Sequence, residues 1–246
     1  QNKYETLKVL NNNMIQTTSL RYLIRNGDMF RLDENLEPLE KTIELEAGDY
    51  VIKPFNLRWG KGIFFIQVSE NIDITNCHEI QDSLNIYKNL LIEERLSNHI
   101  EINKLCSSSL NTLRIITVQL KSGEIDVIFA CIRFSSTNKK IDNWSSGGFA
   151  ANININTGIA YSAIKKNKND LGSINNITEG FKVPFFDDAK KIAIKAHKLF
   201  KDMRSIGWDI AVTSQGPIII EGNDDWDVIL PQKLLQKGIK KFLCKI

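Results

Sequence analysis

Residues 207–223 read G-W-D-I-A-V-T-S-Q-G-P-I-I-I-E-G-N, two apolar runs on either side of Ser214-Gln215-Gly216 that pattern as a β-hairpin. A three-residue turn at 214–216 pairs Thr213 with Pro217, Val212 with Ile218, Ile210 with Ile220 and Asp209 with Glu221. Apolar residues then meet apolar residues on one face. On the other face Asp209 stands across from Glu221, with side-chain origins about 5 Å apart, and Asn223 follows two residues later on the same side. Two carboxylates in that position repel each other unless a hard cation that takes oxygen ligands lies between them, and magnesium answers that description. The alternative is a solvated strand face carrying unrelated acids. The inference depends on the turn, because a two-residue turn slips the register by one and carries Asp209 away from Glu221. Asp224, Asp225 and Asp227 add negative charge nearby from a loop rather than as ligands.

Working outward, a chain of 246 residues with 42% hydrophobic content can bury one sizeable core or two small ones, and it lacks the signature of a disordered protein. Lys and Arg number 32 against 29 for Asp and Glu. A net charge of +3 is too small to make nucleic acid or an anionic membrane the main partner. Cys77, Cys106, Cys131 and Cys244 are widely spaced with no C-x-x-C pair, so they read as free buried thiols. The longest apolar runs fall far short of the roughly 20 residues that span a bilayer, and no signal-peptide pattern opens the chain. A cytoplasmic protein is expected. The chain starts at Gln1 in what reads as mid-domain sequence, which points to a piece of a longer protein with a domain upstream.

Up to about residue 45 the sequence reads as short helical pieces and turns, such as Arg25-Asn26-Gly27-Asp28. Residues 50–54 and 63–68 read as strands joined by a basic, glycine-containing tip that holds Arg58, Gly60, Lys61 and Gly62. Residues 79–88 pattern as a helix and 90–94 as a strand ending in two carboxylates. Further strands are expected at 113–118 and 127–132, with a hairpin over 148–158, and the sheet of this half should be antiparallel. Over 187–204 apolar residues recur at three and four, with Asp187 or Asp188 as N-cap and Gly207 just beyond the end. The Asn-rich stretches 11–13 and 167–176 read as solvated loops, and no internal repeat is visible. The boundary between two subdomains falls near Leu96, giving segments 1–95 and 96–246.

Lys53, at the end of an apolar strand, is costly to desolvate unless it meets an anion such as phosphate; its alternative is to snorkel into water. The G-K-G at 60–62 is not a Walker motif, having no G-x-x-x-x-G-K-[ST] frame. Glu93 and Glu94 can accept from an adenine amino group and a ribose, with the backbone of Arg95 and Leu96 beside them, or they simply end an exposed strand. Arg114 and Arg133 lie among apolar strand residues, where a planar guanidinium holds either phosphate oxygens or a half-buried acid. His78, His99 and His197 share no zinc-site spacing and are assigned no chemistry.

In order along the chain, V-I-K-P with the G-K-G loop at 51–62, L-I-E-E-R-L at 91–96, S-L-N-T-L-R-I at 109–115, D-N-W-S-S-G-G at 142–148, F-K-V-P at 181–184 and the 207–223 motif resemble the ATP-grasp superfamily. Within it they resemble the sugar-transfer associated ATP-grasp group. The likeness runs from about Thr17 to the end. It implies an α+β ATP-grasp fold, in which two α+β subdomains with antiparallel sheets enclose a nucleotide cleft. It further implies that Lys53 contacts the α and β phosphates and that Lys61 and Gly62 form a mobile flap. Glu93, Glu94 and Leu96 would line the adenine pocket, with Glu101 near the ribose. Arg114, with Asn111 and Arg133 beside it, would stabilise the transferred phosphoryl group, while Asp209, Glu221 and Asn223 bind Mg2+. One departure is the segment 172–180, which lacks the histidine expected in this group.

The activity implied is that of an ATP-dependent carboxylate-amine ligase working through an acyl phosphate, joining an amino acid or other amine to a sugar acid in polysaccharide biosynthesis. Its partners would be small-molecule carboxylate and amine substrates, and the reading leaves room for a homodimer. Two alternatives stay open: a kinase on the same scaffold, which needs no amine, and a nucleotide-binding partner protein without turnover.

Overall fold

The alternation of apolar and polar residues through 205–223 does form a hairpin in the computed structural model, which describes residues 2–57, 61–135, 148–165 and 178–239. The chain divides into two compact units, Gln1–Leu96 and Ser97–Ile246.

In the first unit, helix α1 (Lys3–Asn12) is followed by strands β1 (Leu20–Arg25), β2 (Asp28–Leu32), β3 (Pro38–Thr42), β4 (Glu44–Leu45), β5 (Gly48–Pro54), β6 (Phe64–Val68) and β7 (Ile72–Asp73). Helix α2 (His78–Ile86) and strand β8 (Leu90–Glu94) complete it. Six strands form one antiparallel sheet in the order β3-β2-β1-β8-β5-β6, and β4 pairs with β7. The strands at 50–54, 64–68 and 90–94 lie where the sequence pattern puts them. The region before residue 45 is different: beyond α1 it is strand, not short helices. Asn26 (φ 54°) and Gly27 (φ 88°) turn β1 into β2 as a two-residue hairpin that needs positive φ at both positions. What holds β1 in the sheet is β8, some 70 residues further on (Leu23 opposite Leu91, Ile24 opposite Leu90). Asn11 and Asn12 end α1 rather than forming a loop, and Asn13 caps it.

Each face of this sheet is covered. Tyr22, Ile24, Tyr50, Ile52, Leu90 and Ile92 pack with Ile80 of α2 on one side. Leu23 and Leu91 pack with Tyr4 and Leu7 of α1 on the other.

The second unit carries a short helix α3 (Ile100–Leu105), strands β9 (Thr112–Gln119), β10 (Ile125–Phe134), β11 (Phe149–Ile153) and β12 (Ala160–Lys165), helix α4 (Phe186–His197), strands β13 (Ser205–Thr213) and β14 (Gly216–Asn223), and helix α5 (Ile229–Leu235). Its six strands form an antiparallel sheet in the order β12-β11-β10-β9-β13-β14. α4 begins one residue earlier than the pattern indicates and stops at His197, well short of Arg204. Phe185, left-handed at φ 52°, occupies the cap position, and Asp187 and Asp188 lie in the first turn, where they complement the helix dipole. Gly207 is inside β13 rather than at a helix end.

At the last residue of the helix the His197 ring is committed to the sheet. His197 is buried against β9, with Nδ1 2.7 Å from Thr117 Oγ1 and Nε2 2.9 Å from the Met203 carbonyl. The carbonyl can only accept, so Nε2 carries the proton and Nδ1 accepts from Thr117. The Trp208 indole N–H then donates to the same Thr117 oxygen at 2.9 Å. This network lies behind the sheet, on the face covered by α4. α5 covers part of the opposite face, where Trp226, Leu230 and Leu234 pack on Ile116, Phe129, Cys131 and Ala150.

Cys77 and Cys131 are free and buried, as expected, whereas Cys106 is only half-buried; Cys244 lies outside the described residues. Among the described residues no helix is long and apolar enough to cross a membrane.

Burial pushes the His197 pKa below its ordinary value, with the Met203 carbonyl opposing the shift in part. A group held neutral by the fold but protonated in the unfolded chain supplies stability that is full above its unfolded value near 6.5. That stability is lost as pH falls from there through the folded value. Urea midpoints measured from pH 7.5 to 5 should therefore fall more steeply for the native protein than for His197→Gln. Parallel slopes in the two proteins would refute this.

Candidate functional site

The hairpin reaches the expected pairing by an unexpected route. Its turn is the two residues Ser214 and Gln215, with Thr213 opposite Gly216, whose φ of 114° only glycine adopts readily. Val212 therefore faces Pro217 and Ala211 faces Ile218, one residue out of the register a three-residue turn would give. Continued unchanged, this register would set Asp209 opposite Ile220. Instead Ile210 pairs with Ile219 and Asp209 with Glu221, so Ile220 is the extra residue of a bulge that restores the pairing, and Asn223 comes opposite Gly207.

Gly207 and Gly222 of the motif have separate steric causes. A Cβ on Gly222 would lie 2.6 Å from the Trp208 ring, and one on Gly207 would lie 2.7 Å from Trp226 Cβ. Close packing of the two indoles thus excludes a side chain at Gly207 and at Gly222.

Asp209 does not look out on solvent. Its other neighbour, β9, places Arg114 directly opposite it, and the guanidinium grips the carboxylate with two hydrogen bonds, Nε to Oδ1 at 2.6 Å and Nη2 to Oδ2 at 3.1 Å. Arg133 on β10 adds a third contact, Nη2 to Oδ2 at 3.2 Å. Arg133 is itself held by the Thr112 hydroxyl, which accepts from Nε at 3.1 Å and from Nη2 at 2.5 Å. Thr112 opposes Arg133 across the β9–β10 pair, two residues before Arg114 on the same strand face. Sequence reasoning assigned Thr112 nothing, although that spacing within S-L-N-T-L-R-I is its signal. Burial alone would push the Asp209 carboxyl up, but Arg114 and then Arg133 outweigh it and hold the group below the usual carboxylate value. It is a carboxylate at neutral pH.

Asn111, expected beside the arginines, is almost fully buried and secures the preceding loop: its Nδ2 donates to the Cys106 carbonyl at 2.6 Å, and its backbone N–H donates to Asn98 Oδ1 at 2.8 Å. Glu101 is in the first turn of α3, exposed, and pairs with Lys104 at 2.7 Å.

In the first unit Lys53 does not snorkel. It is 4% exposed and lies 2.6 Å from the Glu93 carboxylate, itself 3% exposed. Val51 opposes Glu93 and Lys53 opposes Leu91, so the two charges are diagonal neighbours on the face that α1 covers. The demand for an anion is met internally. The ammonium sits against Glu93 Oε1, so the two charges neutralise each other inside the unit. Glu94 points out of the core with Arg21 3.5 Å away, and Leu96 is half-buried. Lys61 is exposed, and at Gly62 (φ 71°) a Cβ would come within 2.9 Å of Pro54 and 3.0 Å of Tyr87. Arg58, Gly60, residues 142–147 and the Asn-rich stretch 167–176 lie outside the described residues.

The donor set Asp209, Glu221 and Asn223 fits a hard divalent ion in chemistry: two carboxylates in register on neighbouring strands, with an amide two residues on. The fit has a condition, because both Asp209 oxygens already accept from guanidinium groups. Among the described residues no group of three or more His, Cys, Asp or Glu side chains is arranged to hold a metal.

A family model described as sugar-transfer associated ATP-grasp matches residues 1–246. No curated protein matches the sequence. Among solved structures, the chain is similar to D-alanine–D-alanine ligase from Bacillus anthracis complexed with ATP (TM-score 0.55, 13% identity, covering 100% of this chain and 62% of that one). It is also similar to D-alanyl-alanine synthetase A from Vibrio cholerae (TM-score 0.53, 10% identity, 99% and 62%). A third is the biotin carboxylase domain of a Hydrogenobacter thermophilus carboxylase, in complex with MgADP, ADP and bicarbonate (TM-score 0.50, 12% identity, 94% and 41%). The chain spans less than two thirds of each of these structures. At such identities the likeness shows the fold: mixed α+β with antiparallel sheets, as in ATP-grasp ligases.

Removing one partner of a buried ion pair strands the other, at a cost of roughly 3–5 kcal/mol. Lys53→Met should therefore destabilise the protein by about that amount, and Lys53→Met with Glu93→Leu should recover most of it. Urea denaturation of the two variants is the measurement, and equal losses in both would show that the pair is not coupled.

Proposed function

The chain belongs to the sugar-transfer associated ATP-grasp family, and on that premise we propose that it is an ATP-dependent carboxylate-amine ligase that forms an acyl phosphate. The observation that carries the reading is the row Glu221, Asp209, Arg114 with Arg133 beside it, where two acids and two guanidiniums converge on one sheet face. In the first step a substrate carboxylate oxygen bonds to the γ-phosphorus of ATP as the bond to ADP breaks. In the second an amine nitrogen attacks the acyl carbon, phosphate leaves and the nitrogen sheds a proton.

Neither step requires a nucleophilic side chain, so what the protein supplies is positioning and charge. Arg114 and Arg133 neutralise oxygens of the transferred phosphoryl group, with Thr112 fixing the plane of the Arg133 guanidinium. Asn111 acts from further back, by securing the loop that leads into β9. Lys53 serves the α and β phosphates, Lys61 and Gly62 the flap that excludes water from the acyl phosphate, and Glu93, Glu94 and Leu96 the adenine, with Glu101 at the ribose. Asp209, Glu221 and Asn223 would hold magnesium, which when bound offsets the negative charge of the phosphate oxygens. The family's sugar association supports a sugar acid as the carboxylate and an amino acid or other amine as acceptor, in polysaccharide biosynthesis.

ADP release measured over matrices of sugar acids and amines should require both substrates together. ADP formed with a hydroxyl acceptor and no amine would mean a kinase instead. Glu221→Ala should lower turnover by at least about a hundredfold with an unchanged melting temperature. Full activity in that variant would remove the metal assignment.

A further inference from the structure

Resting on that reading, we infer that Thr117 is a positioning residue for Glu221 and Asn223, acting on them through the Trp208 indole from the opposite face of the sheet. Thr117 and Trp208 are fully buried on the face that α4 covers. The indole lies across three strands. At one end its N–H donates to Thr117 Oγ1 on β9 at 2.9 Å. At the other its benzo edge lies against Gly222 on β14, where a Cβ would meet Cζ3 at 2.6 Å and Cε3 at 3.0 Å. Gly222 stands opposite Trp208 in the ladder, between Glu221 and Asn223, whose side chains leave the strand on the other face.

The Thr117 hydroxyl is used on both sides: it donates to His197 Nδ1 at 2.7 Å and accepts from the indole. A valine in its place keeps the shape and leaves the indole N–H buried without that acceptor, so the ring turns toward a new one. It has little room to turn. The Phe200 ring lies beside it, 6.1 Å away between centroids, and at Gly222 the clearance is already used up. A turned indole therefore pushes on the β14 backbone. β14 is the last strand of its sheet, paired on one side only among the described residues, so it yields, and Glu221 and Asn223 move with it. Metal ligands serve only when held within about 0.5 Å of the productive geometry, and this ring is what fixes the two of them from behind.

The inference is testable without turnover. The probe is Mn2+ in the presence of a non-hydrolysable ATP analogue, read from the loss of the free-ion electron paramagnetic resonance signal, which gives the number of sites separately from their affinity. Thr117→Val should weaken the affinity at least about tenfold with the number of sites unchanged. A merely structural lesion would lower the number of sites instead. Thr117→Ser, which keeps the hydroxyl, should bind as the native protein does. Trp208→Phe removes the N–H, and in that background Thr117→Val should change the affinity by less than about twofold, because the route through the indole is already cut. Native affinity in Thr117→Val, a loss of sites at constant affinity, a serine variant as weak as the valine one, or equal losses in both backgrounds overturns the inference.

A second measurement needs no change at Thr117. In native protein labelled with 15N at the tryptophan indoles, the Trp208 resonance, identified by its absence from Trp208→Phe, should shift when Mg2+ and the analogue bind, since coupling between two sites is reciprocal. An unmoved resonance overturns the inference. Glu221→Gln separates it from its premise: if that variant binds Mn2+ as tightly as the native protein, the ion is held elsewhere, and the metal assignment falls together with the role of Thr117.

Discussion

One carboxylate shared by two guanidiniums organises the second unit. Asp209 can be buried because Arg114 and Arg133 supply its counter-charge, and the arginines tolerate their apolar strands because Asp209 and Thr112 occupy their donors. Each of the four sits on a different residue of β9, β10 or β13, so the ion network and the strand register specify one another. A slip of one residue anywhere among these strands would turn one charge to the opposite face, which α4 covers with buried apolar side chains.

The first unit repeats the principle with fewer parts. Lys53 and Glu93 are both almost fully buried, and each would be an unpaired ion without the other. They differ from the Asp209 cluster in geometry: Arg114 meets Asp209 through a planar fork of two hydrogen bonds, while the ammonium of Lys53 meets Glu93 as a point charge at a single oxygen.

Most strands were legible because alternation is a local property, and the ends of β5, β8, β13 and β14 fall close to where apolar runs begin and stop. The acid pair was legible for the same reason, although the turn behind it was misjudged: a tight turn and a bulge compensate one another, and neither leaves a mark in the pattern of apolar residues. The N-terminal strands were not legible, because what decides their conformation is pairing with β8 across a long stretch of chain. Nor were the ion pairs. Arg114 and Asp209 are 95 residues apart, and no spacing rule connects them. The same is true of His197, whose ring reaches Thr117 of β9 from the end of α4. The sequence carried the inventory of charges but not their partners, and in both units the partner turned out to be a residue that had been assigned a separate role.

The bulge at Ile220 makes the facing of the two acids independent of the shape of the turn. A two-residue turn with one extra residue in the strand, and a three-residue turn without it, set Asp209 opposite Glu221 alike, since either way eleven residues separate the two acids. What fixes the facing of the two acids is the count of residues between them, not the shape of the tip that joins them.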